Sequence, residues 1–455
     1  MNVASLGSFR VICVKAAIVL LSVSLSVAAR ADLVSYVKKP DDTYRYEITA
    51  SQAAGECTVH LIRLTSQTWQ GIVWTHWLTV FQPKEVKYDK AMLLVSGGDN
   101  TNTGPRFESG EAKIMQQIAQ STGTITAVIE QVPNQPLFDG LKEDAIISLT
   151  FEKYLKGEGD DWPLLLPMVK SAVRAMDTVV AVSKEKAGAE VKGFMMLGGS
   201  KRGWTSWLSA VADSRVVAIA PVVIDMLNMV PQSELQLASY GEFSKEIQDY
   251  TERGIHAYAD TEAGIKLRSV VDPFSYCDTL TLPKLVVLGT NDPYWNVDSA
   301  NNYFPYLKGE KYLYYCANTK HDINAGGLSA IKAMYNSVLT GEKMPTMDWS
   351  LGPENTLSVT WSNDKGKAKL WKAEAPSRDF RNAKFVSEDL AGAGTVSAKL
   401  TTPATGWAAY YVEVVMPSPA GGSYGLCTQV TVLPDRFPFP DAASKGGRGT
   451  NSDPE

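Results

Sequence analysis

Histidine and cysteine are scarce in this sequence. Its 455 residues include only four histidines and five cysteines, and no two cysteines form a C-x-x-C pair. The histidines do not have the spacing of metal ligands, so the sequence indicates no structural metal site, and we expect no cofactor. Because there are so few, each histidine can be judged as a catalytic base from its position alone.

The sequence also lacks a basic run with interleaved aromatic residues. It has 44 basic and 49 acidic residues, which gives a formal net charge of −5. A mildly acidic chain does not attract the phosphate backbone of nucleic acids, so we expect no nucleic-acid partner.

Apolar runs long enough to cross a membrane are absent after the first 31 residues. Arg10 and Lys15 precede the apolar run 16–27, and Ala29-Arg30-Ala31 has the small-x-small pattern of a cleavage site. We therefore interpret residues 1–31 as a secretory signal peptide, with an uncleaved N-terminal anchor as the less favoured alternative. Cleavage would remove three of the 44 basic residues and no acidic residue, leaving a net charge of −8. The mature protein is expected in the periplasm or outside the cell, without a membrane span.

Export makes disulfide bonds possible. Cys13 would leave with the signal peptide, and the remaining four cysteines allow two disulfides in three alternative pairings. The sequence does not choose among these pairings, which involve Cys57, Cys277, Cys316 and Cys427.

The stretch 191–208 has the pattern of a catalytic turn. Its apolar run 191–197 predicts a strand buried on both faces, and the residues after Ser200 have helical spacing. Gly198 and Gly199 permit a tight turn between the two. Strand, sharp turn, serine and helix together predict a nucleophile elbow with Ser200 as the nucleophile. The alternative is that Gly-Gly-Ser merely links a strand to a helix, since Arg202 stands where G-x-S-x-G has its second glycine.

Strands and helices alternate through the middle of the chain. The apolar runs predict buried strands at 91–95, 124–130, 191–197, 216–224, 283–289 and 311–316. The intervening segments predict helices at 108–121, 162–186, 201–208 and 325–339, and two further strands precede them at 57–65 and 69–81. This order predicts an α/β-hydrolase fold, with a mostly parallel sheet and helices on both faces.

The same patterns suggest four regions. After the signal peptide, an α/β-hydrolase domain is predicted for 32–348, with a helical insertion at 225–277 that would roof the active site. Period-two alternation at 351–433 predicts an antiparallel β-sandwich of immunoglobulin or fibronectin-III type. Residues 434–455 are rich in Pro, Gly and Ser, which predicts a disordered tail.

A nucleophilic serine requires a base, and the base requires an orienting acid. Only His321 follows the last predicted core strand, because His60 and His76 fall in the early strands and His256 in the insertion. Asp292 begins the loop after the preceding strand. The order Ser200, Asp292, His321 matches that of α/β-hydrolases and predicts a catalytic triad.

Simpler interpretations of these residues remain open. His321 could be a solvated loop side chain and Asp292 a turn-forming Asp-Pro, with Asp298 and Asp322 as fallback acids. For the oxyanion hole, we predict the backbone N–H of Lys201 together with that of Gly97 or Gly98.

The side chains of Lys201 and Arg202 have two interpretations. They could add positive charge beside an acyl carbonyl, or they could be solvated cations on the first turn of the helix.

Three separated segments resemble one known family. Gly198-Gly199-Ser200-Lys201-Arg202-Gly203-Trp204-Thr205, the segment 162–170 and Val132-Pro133-Asn134-Gln135-Pro136 are similar to segments of the PhoPQ-activated pathogenicity-related family of exported α/β-hydrolase-like proteins. The resemblance covers about 36–347 and implies the α/β-hydrolase fold. It also implies that Arg202 belongs to this family's form of the elbow. It does not imply a substrate, because the family's activity is poorly defined.

Together these features predict an exported serine hydrolase of esterase or peptidase type that forms an acyl-enzyme on Ser200. Its substrate would be a small molecule, a peptide or a glycan ester. The alternative is a non-catalytic secreted factor on a hydrolase scaffold, which could bind a cell-envelope partner through the β-sandwich.

Overall fold

The computed structural model describes residues 32–363 and 365–442. These residues belong to one compact unit. The predicted signal peptide and the last part of the predicted tail, 443–455, lie outside the described residues.

A nine-stranded sheet forms the centre of the fold, and it confirms the predicted α/β-hydrolase architecture. Six neighbouring strands are parallel, and three antiparallel strands extend one edge. The sheet order is β1-β2-β3-β5-β4-β6-β7-β8-β9. The strands are β1 Arg45–Ala54, β2 Cys57–Trp69, β3 Ile72–Pro83, β4 Lys90–Val95, β5 Thr126–Ile129, β6 Gly193–Gly199, β7 Val216–Val222, β8 Lys284–Gly289 and β9 Lys311–Cys316.

Strand β1 was not predicted from the sequence. Most of its residues are exposed, so it lacks the apolar alternation that marks a half-buried strand. The boundary between β2 and β3 also differs from the prediction. Gln70 and Gly71 both have positive φ, as a two-residue hairpin turn requires, so β3 begins at Ile72 rather than at Trp69.

Helices pack around this sheet. They are α1 Leu33–Lys38, α2 Gly110–Thr122, α3 Asp144–Leu155, α4 Leu165–Ala187 and α5 Lys201–Ala212. The long predicted helix corresponds to α4, which buries one broad face and ends at Gly188 in the left-handed conformation. Helix α3 was not predicted, and it supplies part of the wall around Ser200.

The insertion between β7 and β8 is helical. It contains α6 Met229–Tyr240, α7 Gln248–Glu252 and α8 Glu262–Val271, joined by short 3-10 turns. The buried carboxylate of Asp272 accepts the amide N–H groups of Asn228 (3.2 Å), Met229 (3.0 Å) and Phe274 (2.9 Å). Burial raises the pKa of Asp272 to about 6. One side chain therefore ties the start of the insertion to its end.

The chain continues from β9 into α9 Ala325–Thr340 and then into two antiparallel sheets. The first has the order β10-β11-β14, and the second has the order β13-β12-β15-β16, with β17 also paired to β15. These strands are β10 Met347–Gly352, β11 Thr356–Trp361, β12 Lys367–Ala375, β13 Val386–Leu390, β14 Thr395–Lys399, β15 Trp407–Pro417, β16 Ser423–Cys427 and β17 Thr431–Leu433. The immunoglobulin or fibronectin-III type of this region stays a prediction.

The first nine residues of the predicted disordered tail differ from the prediction. The N–H of Phe439 donates to the carbonyl of Ala238 in α6 at 3.0 Å, and the Phe437 ring lies 4.3 Å from the Arg378 guanidinium. One backbone hydrogen bond and one cation–π contact thus hold a segment whose composition suggests disorder, although the side chains of Phe437 and Phe439 remain partly exposed. Residues 434–442 therefore pack against the insertion.

The disulfides expected for an exported chain are not formed in the structure. All four described cysteines are free thiols, and Cys57, Cys316 and Cys427 are buried. Cys57 lies on β2 and Cys316 on β9, seven strands apart in the sheet order. At about 4.8 Å per strand, that separation far exceeds the reach of a disulfide. Cys427 instead accepts a hydrogen bond from the Tyr315 amide at 3.4 Å.

Across 32–363 and 365–442, none of the helices combines the length and the apolar character that crossing a bilayer requires.

Candidate active site

Ser200 lies in a strained turn between β6 and α5. Its backbone has φ 56° and ψ −127°, a conformation that residues other than glycine rarely adopt. The turn is held on both sides, because the Ser200 N–H donates to Val222 O at 2.8 Å and the Ser200 carbonyl accepts from Trp204 N–H at 3.0 Å. This is the geometry of a nucleophile elbow, which lifts the serine away from the sheet.

Two glycines allow the elbow to pack tightly. A Cβ at Gly198 would lie 2.6 Å from the backbone of Arg202, and a Cβ at Gly203 would lie 2.8 Å from the Gly198 carbonyl. The helix residue that has no room for a Cβ beside the strand is therefore residue 203, one later than the second glycine of G-x-S-x-G. That shift of one position leaves room for a long side chain at Arg202.

The side chains of Lys201 and Arg202 are both paired with acids, rather than being solvated cations. The Arg202 guanidinium binds both oxygens of Glu143, at 2.7 and 2.8 Å, and its Nε donates to Val132 O at 2.6 Å. Lys201 Nζ lies 2.9 Å from Glu143 and 3.2 Å from Asp144. Only 7% of the Lys201 side chain and 12% of the Arg202 side chain are exposed. No sequence signal marked Glu143, because it starts a helix that was not predicted.

Glu143 is itself held in a strained conformation, with φ 53° and ψ −127°. The Gln135 side chain accepts the Glu143 N–H at 2.8 Å and donates to Glu143 Oε1 at 2.6 Å and to Gly98 O at 3.0 Å. Burial alone would raise the pKa of Glu143, but hydrogen bonds and charge from Arg202 and Lys201 outweigh it and lower the pKa well below its ordinary value. The network connects the elbow helix to the loop that follows β4.

The predicted oxyanion residues lie around this network. The Lys201 amide is the first of α5, so it has no acceptor within the helix. Val95 pairs with Gly198, which places the start of the Gly97-Gly98 loop beside the elbow. Gly97 O accepts from Arg106 Nη2 at 2.8 Å and from Gln131 N–H at 3.0 Å. Because the peptide is planar and trans, these bonds also fix the direction of the Gly98 N–H. The oxyanion role of these amides stays a prediction.

His321 is hydrogen-bonded to Asp292. The distance from Nδ1 to Oδ2 is 2.8 Å, and Oδ1 of the buried Asp292 accepts the Tyr294 N–H at 2.9 Å. The Tyr294 ring lies 4.4 Å from the imidazole, centre to centre. The two fallback acids are occupied elsewhere: Asp298 binds Arg378 at 2.6 Å and Asp322 accepts the Ile323 amide.

The second imidazole nitrogen, Nε2, is buried and has no hydrogen-bond partner among the described residues. Within the described residues, no hydrogen bond joins His321 Nε2 to Ser200 Oγ. Ser200 lines the same cavity as Tyr294, whose ring contacts that of His321 at an interplanar angle of 34°. Catalytic hydrogen bonds are often long before substrate binds, so this arrangement is compatible with a serine–histidine pair.

His60 and His76 serve the packing of the early strands, whereas His256 lines the same cavity as Ser200. His60 bonds Ser51 and Gln82, and His76 bonds Ser66 and the Glu130 carbonyl. Burial lowers the pKa of His76 to about 4, so it is neutral at ordinary pH. His256 stacks on Phe243 in the insertion, with ring centres 4.2 Å apart.

One further acid near the site was not singled out from the sequence. Asp225, three residues after β7, is 3% exposed. Burial raises its pKa well above the ordinary value, and the nearby charges of Asp292 and Asp298 raise it further. Within the described residues, no group of three or more His, Cys, Asp or Glu could hold a metal ion.

An apolar cavity of about 170 Å³ extends from Ser200 beneath the insertion. Its walls come from α3, α5 and the helices of the insertion, and Ser200, Lys201 and Asp144 provide polar groups. Representative apolar lining residues are Trp204, Ile224, Met226, Leu237, Leu267 and Val271.

The Arg202–Glu143 pair makes a testable contribution to stability. We expect Arg202→Ala to lower the free energy of unfolding by about 2 kcal/mol at pH 7, because it leaves the Glu143 carboxylate without its main partner. The folded-state pKa of Glu143 is depressed, so the pair stabilises above the unfolded pKa of about 4.3 and loses its effect as pH falls further. Urea unfolding at pH 7 and pH 3 measures both expectations.

Lys399→Ala is the matched control, because it breaks the exposed pair with Glu354 and should change stability by less than about 0.5 kcal/mol. Equal effects of the two variants would contradict a special role for the Arg202 pair.

A family model described as PhoPQ-activated pathogenicity-related protein matches residues 33–381. Autocrine proliferation repressor protein A of Dictyostelium discoideum is 29% identical over 481 residues, covering 96% of this chain and 97% of that protein.

Solved structures are also similar. An acetyl xylan esterase from Paenibacillus sp. R4 has 15% identity and a TM-score of 0.49, covering 67% of this chain and 92% of its own. Acetyl xylan esterase 1 from Thermoanaerobacterium sp. JW/SL YS485 has 13% identity and a TM-score of 0.46, covering 67% and 89%.

Proposed function

The chain belongs to the PhoPQ-activated pathogenicity-related protein family, and from this premise and the geometry of the site we propose that it is an exported serine hydrolase. It would cleave an ester or peptide bond through an acyl-enzyme on Ser200. The observation that carries the proposal is the 2.8 Å bond between Asp292 and Nδ1 of His321, whose Nε2 is buried without a hydrogen-bond partner among the described residues. The Tyr294 ring, centred 4.4 Å from this imidazole, lines the same cavity as the strained Ser200.

In this mechanism Asp292 accepts the Nδ1–H of His321, which leaves Nε2 as the base. Nε2 takes the Ser200 proton as Oγ attacks the substrate carbonyl, and the amides of Lys201 and Gly97 or Gly98 stabilise the oxyanion. Protonated His321 then gives its proton to the leaving group as the bond to carbon breaks. Water, deprotonated by the same nitrogen, attacks the acyl carbon. Protonated His321 then gives its proton to Ser200 Oγ as the bond between Oγ and the acyl carbon breaks.

The cavity suggests an apolar acyl group for the substrate. A cavity of similar size, about 150 Å³, accommodates a benzene molecule, so this one would suit an acyl chain of roughly six carbons. We expect the enzyme to hydrolyse p-nitrophenyl hexanoate with a higher kcat/KM than p-nitrophenyl acetate.

Filling the cavity should remove that preference. Ala259 lines the cavity, and Ala259→Leu should lower kcat/KM for the hexanoate by about 10-fold or more, because lost pocket volume costs about 1–3 kcal/mol of transition-state binding. Acetate turnover should change little. The matched control is Ala257→Leu, an exposed alanine of the same insertion that does not line the cavity. An unchanged chain-length preference in Ala259→Leu would refute an acyl role for the cavity.

A second candidate function is a non-catalytic factor that binds a cell-envelope partner through the C-terminal sheets. The relative named Autocrine proliferation repressor protein A, which aligns with 96% of this chain, favours this candidate. A fluorophosphonate probe discriminates between the two. Labelling of the folded protein that is lost in His321→Ala supports the hydrolase, whereas a folded protein that is not labelled supports the binding factor.

A further inference from the structure

The loops that carry Asp292 and His321 are both bonded to one segment of the C-terminal sheets. This segment, residues 378–385, connects β12 to β13. It lies about 40 residues beyond the last helix of the α/β-hydrolase part, yet it contacts the loops after β8 and β9.

The first contact is at Asn291, the residue before Asp292. Its buried side-chain amide donates both hydrogens to the segment, to Phe380 O at 2.9 Å and to Ala383 O at 2.7 Å. The Asn291 oxygen accepts from Thr290 Oγ1 at 2.9 Å. Both hydrogens of the Asn291 side-chain nitrogen therefore bond the segment to the loop that carries Asp292, here called the acid loop.

The second contact is at Asn318, three residues before His321. Its side chain forms a two-way pair with the backbone of Phe385, donating to the carbonyl at 2.9 Å and accepting the N–H at 2.8 Å. The Asn318 N–H also donates to Thr290 Oγ1 at 2.8 Å. The loop that carries His321, here called the base loop, is thus bonded both to the segment and to the acid loop.

The third contact joins the segment to the insertion. The buried guanidinium of Arg378 binds Asp298 at 2.6 Å, in the acid loop, and Ser239 at 2.9 Å, in α6. The segment itself is anchored by Phe385, whose ring packs on Tyr411 of β15 (5.9 Å), which in turn packs on Tyr315 of β9 (5.3 Å).

We propose that the 378–385 segment is a positioning element of the active site, which holds the Asp292 and His321 loops in the register that proton transfer requires. The inference rests on the proposed function. It makes the C-terminal sheets a required part of the catalytic unit, rather than only an attached binding module.

The test uses the full chain and the variant Asn318→Gly. Asn318 has φ 58°, which glycine adopts without strain, so the variant deletes the two side-chain bonds to Phe385 and leaves the turn intact. The control is Val359→Ala, which opens a small cavity at β11 in the same C-terminal region. Val359 is not among the residues that bond segment 378–385 to the loops of Asp292 and His321. Both variants are compared with wild type for melting temperature, kcat and KM for p-nitrophenyl hexanoate, and hydrogen exchange of the loops 290–296 and 317–323.

We expect Asn318→Gly to lower kcat per folded molecule by about 10- to 10²-fold, with KM changed less than twofold, because a small displacement of the base impairs the chemical step more than binding. Hydrogen exchange should accelerate in both loops. Val359→Ala should lower the melting temperature without changing kcat per folded molecule or loop exchange.

The inference is overturned if Asn318→Gly keeps the wild-type kcat, or if Val359→Ala reduces kcat equally. A folded wild type without any turnover would refute the proposed hydrolase instead. In that case the exchange experiment still decides the inference, since unchanged exchange in Asn318→Gly would show that the segment does not hold the loops.

Discussion

Ser200→Ala is expected to abolish labelling by a fluorophosphonate and to lower kcat for an ester by about 10⁶-fold, the loss typical of removing a catalytic serine. The physical reason is that Oγ is the atom that would bond to the acyl carbon, and no other hydroxyl occupies the turn between β6 and α5. Labelling is measured on a gel, and turnover by release of p-nitrophenol.

Ser206→Ala is the control for this experiment. Ser206 lies in the same helix, but its hydroxyl donates to the Arg202 carbonyl at 3.0 Å, so its removal should leave labelling unchanged. Persistent labelling of Ser200→Ala, or equal loss in both variants, would exclude Ser200 as the nucleophile.

A companion variant tests the strain at this position. Ser200→Gly should also be inactive, but it should raise the free energy of unfolding by about 1 kcal/mol, because glycine accepts the positive φ at this turn. Urea denaturation measures the change. A protein that becomes less stable would show that the turn is not strained.

Asp292→Asn is expected to lower kcat by about 10⁴-fold without unfolding the protein. The asparagine side chain of this variant can still accept the Tyr294 amide, but its NH₂ group would then face Nδ1 of His321. The imidazole would respond by placing its proton on Nε2, where it could no longer accept a proton from Ser200. Steady-state kinetics and a circular dichroism spectrum check the two halves of this expectation.

Asp322→Asn is the matched control, since Asp322 adjoins His321 in sequence but caps only the Ile323 amide. It should retain wild-type kcat. A large loss in Asp322→Asn combined with a small one in Asp292→Asn would reassign the acid.

The sheet and the elbow could be predicted because apolar runs mark strands that are buried on both faces. The runs at β4, β6 and β8 are each bounded by glycine or polar residues, so their ends, and with them Ser200 and Asp292, could be placed within a residue or two. The loop after β9 followed from the same rule, since parallel strands bring their carboxyl ends to one edge.

What the sequence could not predict depends on contacts between distant segments. Glu143 and Asn318 are ordinary polar residues by composition, and only tertiary pairing with Arg202 and Phe385 distinguishes them. Strand β1 was not predicted because most of its residues are exposed and show no apolar alternation. The order of residues 434–442 was not predicted because it depends on contacts with Ala238 and Arg378, which are distant in sequence.

The position of the second glycine in the elbow has a practical consequence for recognising related proteins. A search written as G-x-S-x-G misses the Ser200 turn and matches instead 421–425, at the start of β16. The pattern G-x-S-x-x-G matches the Ser200 turn, because Gly203 occupies the point where helix and strand nearly touch. With the glycine at position 203, position 202 can carry an arginine whose guanidinium bonds to a carboxylate that is distant in sequence. A glutamate elsewhere in the chain thus becomes the expected companion of an arginine in that position, and genomes can be screened for the pair.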